Sequence, residues 1–248
     1  MVKFAFALVW LLAIQDDPIV AEALRGYRHA WSDFREGSAV TYLETTRVPE
    51  VDNSGNLVFR DLSAKVTWVL GGADNDRATL RITSDGRESE FPTHFALPHW
   101  AQGKGERRPD EEIAVGDRKF TCRVTVIAVD AEQEASEVTT IWQNAKAPGW
   151  AVKVRNETLA RGHRNTSEET ILLALDQKVK VGDAEVACYL VQITSEVEKG
   201  NKVVKKEWRA DDVPGRVVRR ETHHFGKDGR EIEAAFSRTE VVSFNTRR

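Results

Sequence analysis

The histidines are the residues whose type could assemble a reactive centre in this chain. Five of the six lie in three polar stretches of the sequence, namely His94, His99, His163, His223 and His224. Imidazole and carboxylate groups are ordinary ligands of transition metals, so these side chains with Asp211 or Asp212 could form a metal site. Histidines are also common in loops that bind nothing. We therefore predict no metal, cofactor or catalytic residue, and keep a hydrolase or histidine-based metal enzyme as the second alternative function.

Sequence patterns of known catalytic centres give no support to an enzyme. The chain has no Gly-x-Ser-x-Gly, no glycine-rich phosphate loop after a strand, no His-Glu-x-x-His and no paired Cys-x-x-Cys. Adjacent carboxylates such as Glu168 and Glu169 are present, but no pattern fixes the separation that a glycosidase needs. Asn156 and Asn165 begin glycosylation sequons, which matter only in a host with that machinery.

The two cysteines, Cys122 and Cys188, permit one covalent link. A pair of cysteines in an oxidising compartment is typical of a disulfide. A disulfide also requires Cα atoms within about 4.4–6.8 Å, which the sequence does not establish. The alternative is two buried thiols, each in its own part of the core.

Each cysteine lies in one of two similar segments of the sequence, residues 116–158 and 182–222. Six residues of the first segment recur in the second at a constant offset of 66 positions: Gly116, Asp117, Cys122, Trp142, Pro148 and Gly149 correspond to Gly182, Asp183, Cys188, Trp208, Pro214 and Gly215. A constant offset without gaps is typical of a repeated structural unit. The sequence therefore predicts two or three repeats of about 66 residues, each a meander of strands.

The spacing of tryptophan, five residues and Pro-Gly predicts a tight corner at the end of a strand. Proline fixes φ and glycine accepts a positive φ, which suits the centre of a type II turn. The tryptophan ring can cover that corner. We assign Cys122, Trp142, Pro148 and Gly149, and their counterparts Cys188, Trp208, Pro214 and Gly215, to the structure of the repeat.

These motifs resemble those of uncharacterised secreted bacterial β-repeat proteins with a Gly-x5-Cys strand followed by Trp-x5-Pro-Gly. Trp31, Phe34 and Gly37 fit the same resemblance, which covers most of the chain but implies no activity. In layout alone, a leading helix followed by antiparallel strands is similar to the open half-barrels of periplasmic lipoprotein carriers. A similar fold does not imply a similar function.

The N-terminus has the composition of a secretory signal peptide. Lys3 precedes an apolar run of about eleven residues, 4–14, and Ala13 lies three positions before a proposed cleavage site after Gln15. The run is shorter than the roughly 20 residues that span a bilayer. We predict a signal peptide at residues 1–15, no transmembrane span after its removal, and a secreted or periplasmic location. An anchor or a buried first helix is the alternative.

An amphipathic helix is predicted at residues 17–35. Asp17 suits the N-cap and Pro18 the first helical turn. Apolar side chains follow at helical spacing, and this stripe must pack on a sheet. If the sheet holds an apolar ligand, we expect the binding residues to be Leu24, Tyr27, Trp31 and Trp100.

The remaining sequence predicts a single β-repeat domain at 16–248, mainly β, with a curved antiparallel sheet and the helix packed on it. Val66, Trp68 and Leu70 alternate as expected for a strand. The predicted parts are N-terminal hairpins at 37–91, a loop that is functional or mobile at 92–110, repeat one at 111–158, a linker at 159–170, repeat two at 177–224 and a closing hairpin at 225–248. Residues 171–175 suit either a strand or a helical turn.

Composition limits the partners of this domain. The 248 residues carry a net charge of −3 with 30% charged side chains, which argues against a nucleic-acid partner. We predict a non-catalytic extracytoplasmic binding or carrier protein for an apolar small molecule, a lipid or an envelope component. The first alternative is a structural or protein-interaction module of the cell envelope.

Overall fold

The computed structural model describes residues 17–73, 77–94, 97–131, 135–160, 163–197 and 200–247. The predicted signal peptide lies outside these residues. None of the described helices is long and apolar enough to cross a membrane.

The described chain is mainly β, as predicted, with antiparallel strands and one short α-helix near the N-terminus. The helix α1 comprises Pro18–Ala23. The strand order is β4-β3-β2-β1-β13-β12-β11-β10-β9-β8-β7-β6-β5. The strands are β1 (Ala39–Val51), β2 (Leu57–Ala73), β3 (Arg77–Ser84), β4 (Arg87–His94), β5 (Lys104–Val115), β6 (Arg118–Ala131), β7 (Ala135–Gln143), β8 (Lys153–Ala160), β9 (His163–Val181), β10 (Ala184–Val197), β11 (Lys202–Arg209), β12 (Val217–Phe225) and β13 (Ser237–Asn245).

The chain divides into two compact units. Among the described residues, unit 1 lies within 17–27 and 97–171, and unit 2 lies within 28–94 and 172–247. Unit 1 therefore contains α1 and β5 to β8, unit 2 contains β1 to β4 and β10 to β13, and β9 has residues in both. The sequence prediction of one domain did not anticipate this division, because each unit combines segments that are distant in the sequence.

The helix is much shorter than the predicted range 17–35. Asp17 caps it as expected, but Leu24 is the C-cap and Gly26 has a φ of +88°. A glycine in the left-handed region just after a helix is a common terminator, because it lacks a Cβ that would be strained there. Trp31 and Phe34 consequently lie in a separate segment of turns.

The predicted loop at 92–110 is wrong. Strand β4 continues to His94, a 3₁₀ helix spans His99–Gln102, and β5 begins at Lys104. The glycines of this stretch allow close packing and do not form a loop. A Cβ added at Gly103 would lie 2.5 Å from the Ala128 carbonyl oxygen. The charged residues that suggested a loop lie on β5, most of whose side chains are exposed.

Two other boundaries also require correction. The predicted linker at 159–170 is the end of β8 and the start of β9, which pair at Leu159↔Arg164 and Ala160↔His163. The predicted closing hairpin at 225–248 contains a single long strand, β13, which pairs with both β12 and β1. The linker was predicted from its polar composition, which exposed strands share. The closing hairpin was predicted from neighbouring residues alone, which do not indicate the pairing of β13 with the distant strand β1.

The segments predicted as repeats have matching local geometry in the two units. Gly116 and Gly182 each have a φ of +58°, and Gly149 and Gly215 have φ values of +74° and +75°. The residues that follow Pro-Gly, Trp150 and Arg216, also have positive φ. Trp142 pairs with Val124 as Trp208 pairs with Leu190. The positive φ values of Gly149 and Gly215 suit the predicted Pro-Gly corners.

Candidate functional site

The helix α1 is fixed to the sheet of unit 1 by hydrogen bonds at its N-terminus. One Asp17 carboxylate oxygen accepts from the Ile19 and Val20 amides, at 2.8 and 3.3 Å, and the other accepts from the Gly105 amide at 2.8 Å. The Gly105 hydrogen bond leads the causes that lower the pKa of Asp17, so the carboxylate is favoured. Gly105 is required here, because a Cβ would lie 2.8 Å from Ile19 Cγ2.

The rest of the helix is held by side chains of β5, β6 and β7. Glu22 accepts hydrogen bonds from both Arg107 and Arg123. At the C-terminal end, the Ala23 carbonyl accepts from Gln143 Nε2 at 2.8 Å and from Trp150 Nε1 at 3.0 Å. Carbonyl groups at a helix end need such partners, so α1 is anchored at both ends.

An aromatic cluster lies beside the helix in unit 1. The rings of Trp100 and Trp150 are stacked, with centroids 5.7 Å apart and an interplanar angle of 12°. Tyr27 stands edge-on to both, at 5.4 Å from Trp150 and 6.4 Å from Trp100. Val20 and Ala23 are fully buried in the same cluster. The apolar underside of the helix is therefore covered by the chain's own side chains.

The predicted ligand-binding residues are divided between the units. Leu24, Tyr27 and Trp100 pack in or beside the cluster of unit 1, whereas Trp31 is buried in the core of unit 2. Trp150 was not among the predicted ligand-binding residues, although its position directly after Pro148-Gly149 could have indicated it. Its φ of +96° turns the indole toward the helix end.

Of the two alternatives left open by the sequence, the structure has two buried thiols and no disulfide, because Cys122 and Cys188 are both free and buried. Cys122 Sγ donates to the Phe120 carbonyl and Cys188 Sγ to the Val186 carbonyl, each at 3.4 Å. Burial is the main cause that raises the pKa of each thiol to about 11. Each cysteine is packed in its own unit and remains a protonated core thiol at neutral pH.

Two of the histidines each pair with a single carboxylate. His99 Nδ1 lies 3.0 Å from Glu137 Oε2, and His223 Nδ1 lies 2.6 Å from Glu231 Oε1. The side chains of His94 and His163 lie outside the described residues. Within the described ranges, no three His, Cys, Asp or Glu side chains are grouped as a metal site would require. The described members of the histidine–aspartate set are therefore not grouped into such a site.

A buried carboxylate in unit 2 was missed by the sequence analysis. Glu207 is only 2% exposed and accepts hydrogen bonds from Arg209 Nε at 2.7 Å and Arg220 Nε at 2.6 Å. Burial alone would raise its pKa, but the two guanidinium groups outweigh it and lower the pKa. The charged composition of β11 and β12 does not indicate this burial, which depends on the pairing of Glu207 with Arg220 between the two strands.

The least covered part of unit 2 is the end of the β1–β2 hairpin, residues 47–62, which we call the arm. The pairing of β1 with β13 ends at Thr46↔Ser237, and the pairing of β2 with β3 begins only at Val66↔Ser84. Within the arm the two strands pair continuously up to Val51↔Leu57. The arm is therefore a two-stranded ribbon, with no further strand beside it among the described residues.

Apolar side chains of the arm are exposed to solvent. Val51 is 66% exposed and Leu57 65% exposed, and the other exposed members are Val58, Phe59 and Leu62. Five of the nine large exposed apolar side chains in the described chain thus belong to this one hairpin. Clustered exposed apolar residues, unlike scattered ones, are typical of an interaction surface.

Polar contacts define the limits of this apolar surface. At the turn, Asp52 accepts from the Ser54 and Asn56 amides, each at 2.8 Å. At the base, Arg47 Nε donates to Asp61 Oδ1 at 3.1 Å. The exposed apolar residues other than Leu62 therefore lie between a polar tip and the Arg47–Asp61 pair, with the ion pair of Arg60 and Glu50 among them. This arrangement does not suit insertion into a bilayer, because the charged turn would enter the hydrocarbon first.

The two outer strands of the sheet differ from the arm. Strand β4 carries Arg87, Glu88 and Glu90 and includes Pro92. Strand β5 includes Pro109 and a register shift between Arg108 and Glu111. Charges, prolines and bulges on edge strands are the usual protection against unwanted strand pairing. The sheet edges are thus protected, while the arm is not.

Comparison with protein-family models, with curated proteins and with solved structures finds no match to this chain.

Proposed function

We propose that this protein is a non-catalytic interaction module that binds another polypeptide through the β1–β2 arm. The observation that carries the proposal is the exposed apolar surface formed by Val51, Leu57, Val58, Phe59 and Leu62. An interaction module is the first alternative function that we predicted from the sequence. We place it above the carrier, because a carrier needs an apolar space beneath α1, where the chain's own aromatic side chains are packed.

The size of the exposed surface is consistent with modest affinity. Full burial of a Val, Leu or Phe side chain contributes about 1.5–3 kcal/mol. The five arm residues are already partly covered, so we expect their complete burial to contribute on the order of 5 kcal/mol before ordering costs. Such a contribution suits a reversible complex in which polar contacts supply the remaining free energy.

The proposal includes a location outside the cytoplasm, which rests on the N-terminal sequence. The charged residue and the apolar run at 4–14 are typical of a secretory signal peptide. A partner in the cell envelope is then the natural candidate. The free cysteines do not conflict with this location, because both thiols are buried and protonated.

Photocross-linking tests the proposed function. A photoreactive phenylalanine analogue is introduced at Phe59 in the arm, or at Phe91 on β4 as the matched control. Both are exposed phenylalanines, at 40% and 52%. We expect a defined polypeptide to cross-link from position 59 and not from position 91 in the producing cells, and the purified partner to lose affinity for the Leu57→Ser/Phe59→Ser variant. Equal cross-linking from both positions, or none, would contradict the proposal.

A carrier of an apolar molecule is the second candidate function. It is favoured by the way α1 is attached, since Asp17, Glu22 and the Ala23 carbonyl hold the helix through polar contacts over the aromatic cluster. Opening the helix would expose Trp100 and Trp150. Native and denaturing masses of the purified protein test this candidate, because a bound molecule would appear as extra mass only in the native measurement.

A further inference from the structure

We infer that the outer edge of β2 at residues 57–65 binds an extended segment of a partner polypeptide as an added antiparallel strand. This inference rests on the proposed function and states the chemistry of the partner. Strand β2 runs from Leu57 to Ala73, but its pairing with β3 begins only at Val66. In the described chain, nine residues of β2 therefore have β1 on one side and no strand on the other.

The backbone of this edge specifies an extended peptide. In an antiparallel ribbon, alternate residues direct their N–H and C=O groups away from the neighbouring strand. These groups need hydrogen-bond partners, and an added strand supplies all of them in one register. An apolar small molecule would bury these groups without satisfying them, which costs free energy.

Proline distinguishes this edge from the others in the protein. Residues 57–65 contain no proline, whereas the opposite edge of the arm has Pro49 and the outer strands have Pro92 and Pro109. Proline cannot donate a hydrogen bond to an added strand and is usual on edges that must stay unpaired. The β2 edge is therefore the best docking edge of the four.

The side chains beside this edge indicate which residue types the partner segment must contain. Leu57 and Phe59 lie on one face of the strand, and Val58 and Leu62 lie on the other, so an added strand meets apolar neighbours on both faces. The charges beside this edge are mostly paired within the arm: Arg60 Nε lies 3.4 Å from Glu50 Oε2, and Asp61 pairs with Arg47. Lys65 therefore leaves a positive charge at the C-terminal end of the edge. We infer a segment with apolar residues on both faces and a carboxylate at its N-terminal end, which lies opposite Lys65 in an antiparallel pair.

A second copy of this chain fits the edge less well. Two copies related by a two-fold axis pair all nine residues only in the register centred on Asp61, where Leu57 faces Lys65 and Phe59 faces Ser63. Apolar side chains directly opposite polar or charged ones lose the stabilisation that apolar cross-strand pairs provide. Registers centred on neighbouring residues shorten the pairing to seven residues or fewer. The edge is thus suited to a different polypeptide.

The test uses the full chain and synthetic peptides as probes. One ten-residue peptide of Val, Leu and Thr has apolar residues on both faces and a Glu at its N-terminal end, and the same peptide with two inner residues replaced by proline is the control. We expect the first peptide to bind at least tenfold more tightly than the proline peptide, measured by fluorescence anisotropy. Replacing its Glu with Lys should weaken binding, and the Phe91→Ser variant should bind like the unmodified protein.

Backbone readouts distinguish strand addition from simple apolar contact. We expect peptide binding to slow hydrogen exchange at alternate amides of residues 57–65. N-methylation of the peptide amides that face β2 should weaken binding at least tenfold, whereas N-methylation of the amides between them should have little effect. A uniform effect of N-methylation, without slowed exchange at 57–65, would overturn the inference.

The outcomes also separate this inference from the proposed function. Cross-linking of a partner from position 59 without binding of the apolar peptide would leave the proposed function standing and refute strand addition. Absence of both would refute both. A concentration-dependent dimer with slow exchange at 57–65 in the absence of peptide would identify a second copy as the occupant and overturn the choice of a different polypeptide. Circular dichroism of the Leu57→Ser/Phe59→Ser variant excludes unfolding as the cause of lost binding.

Discussion

Replacing Glu207 with glutamine should destabilise unit 2 far more than a typical surface substitution. The carboxylate is almost completely buried and is the shared acceptor of Arg209 and Arg220. Glutamine has nearly the same shape, but it carries no charge, and its amide nitrogen can only donate. One guanidinium group then loses its acceptor, and both lose their counter-charge.

The expected magnitude follows from the exposure of the three side chains. Breaking a fully buried charged pair by removing one partner costs about 3–5 kcal/mol. The arginine side chains are 30% and 41% exposed, so water partly replaces the lost carboxylate. We expect Glu207→Gln to lower the free energy of unfolding by about 2–3 kcal/mol. Glu185→Gln on β10, which removes an exposed partner of Lys178, is the control, and a loss under about 0.5 kcal/mol is expected there.

The same carboxylate predicts how stability responds to acid. The pKa of Glu207 is lower in the folded protein than in the unfolded chain. Its contribution to stability is therefore fully present above the pKa of the unfolded chain and is lost as the pH falls through the folded pKa. The difference between the unmodified protein and Glu207→Gln should be largest near neutral pH and shrink under acidic conditions.

Hydrogen exchange of β11 and β12 peptides under increasing urea measures this local free energy, without assuming that both units unfold together. A loss for Glu207→Gln no larger than that for Glu185→Gln would refute the reasoning. A difference that grows on acidification would refute it as well.

Three further predictions concern unit 1 and the thiols. Gly105→Ala should crowd Ile19 and destabilise the docking of α1 by about 1–3 kcal/mol, seen as faster exchange at residues 18–24, whereas Gly72→Ala, with open space around its Cβ, should not. Trp150→Phe should cost about 1 kcal/mol or more through the lost hydrogen bond to Ala23, measured by urea denaturation, and an unchanged stability would contradict that contact. At pH 8 both thiols should react with a thiol reagent only after unfolding, because burial raises the pKa of Cys122 and Cys188 to about 11, and rapid reaction of the native protein would contradict their burial.

Local chemistry explains what the sequence predicted correctly. Alternation of apolar residues in segments such as Val66–Leu70 indicates a strand whatever its partner, so the mainly antiparallel β-fold was predictable. Asp17 and Pro18 are sufficient to identify the start of the helix. Gly26 was an available signal for its end, but helical spacing continues by chance to Trp31 and Phe34 and obscured it.

Long-range contacts explain what the sequence analysis missed. Gly105 was interpreted as a loop residue, because its contact with Ile19 joins positions far apart in the sequence. Glu207 has the alternation of a solvated strand, and only the pairing of β11 with β12 shows that Arg220 lies beside it. The arm could not be predicted from the sequence either, because its exposure depends on where β3 stops pairing with β2 and where β13 stops pairing with β1.

Residue-level hydrogen exchange of the free protein tests the central claim most directly. The account requires that β2 has a bare outer edge at 57–65 and a paired edge from Val66 onward. We expect alternate amides of 57–65 to exchange rapidly and the amides between them, bonded to β1, to exchange slowly, with protection of both sets along residues 66–70. Uniform protection of 57–65 in the free protein would show that the edge is already covered and would contradict its role as a docking surface.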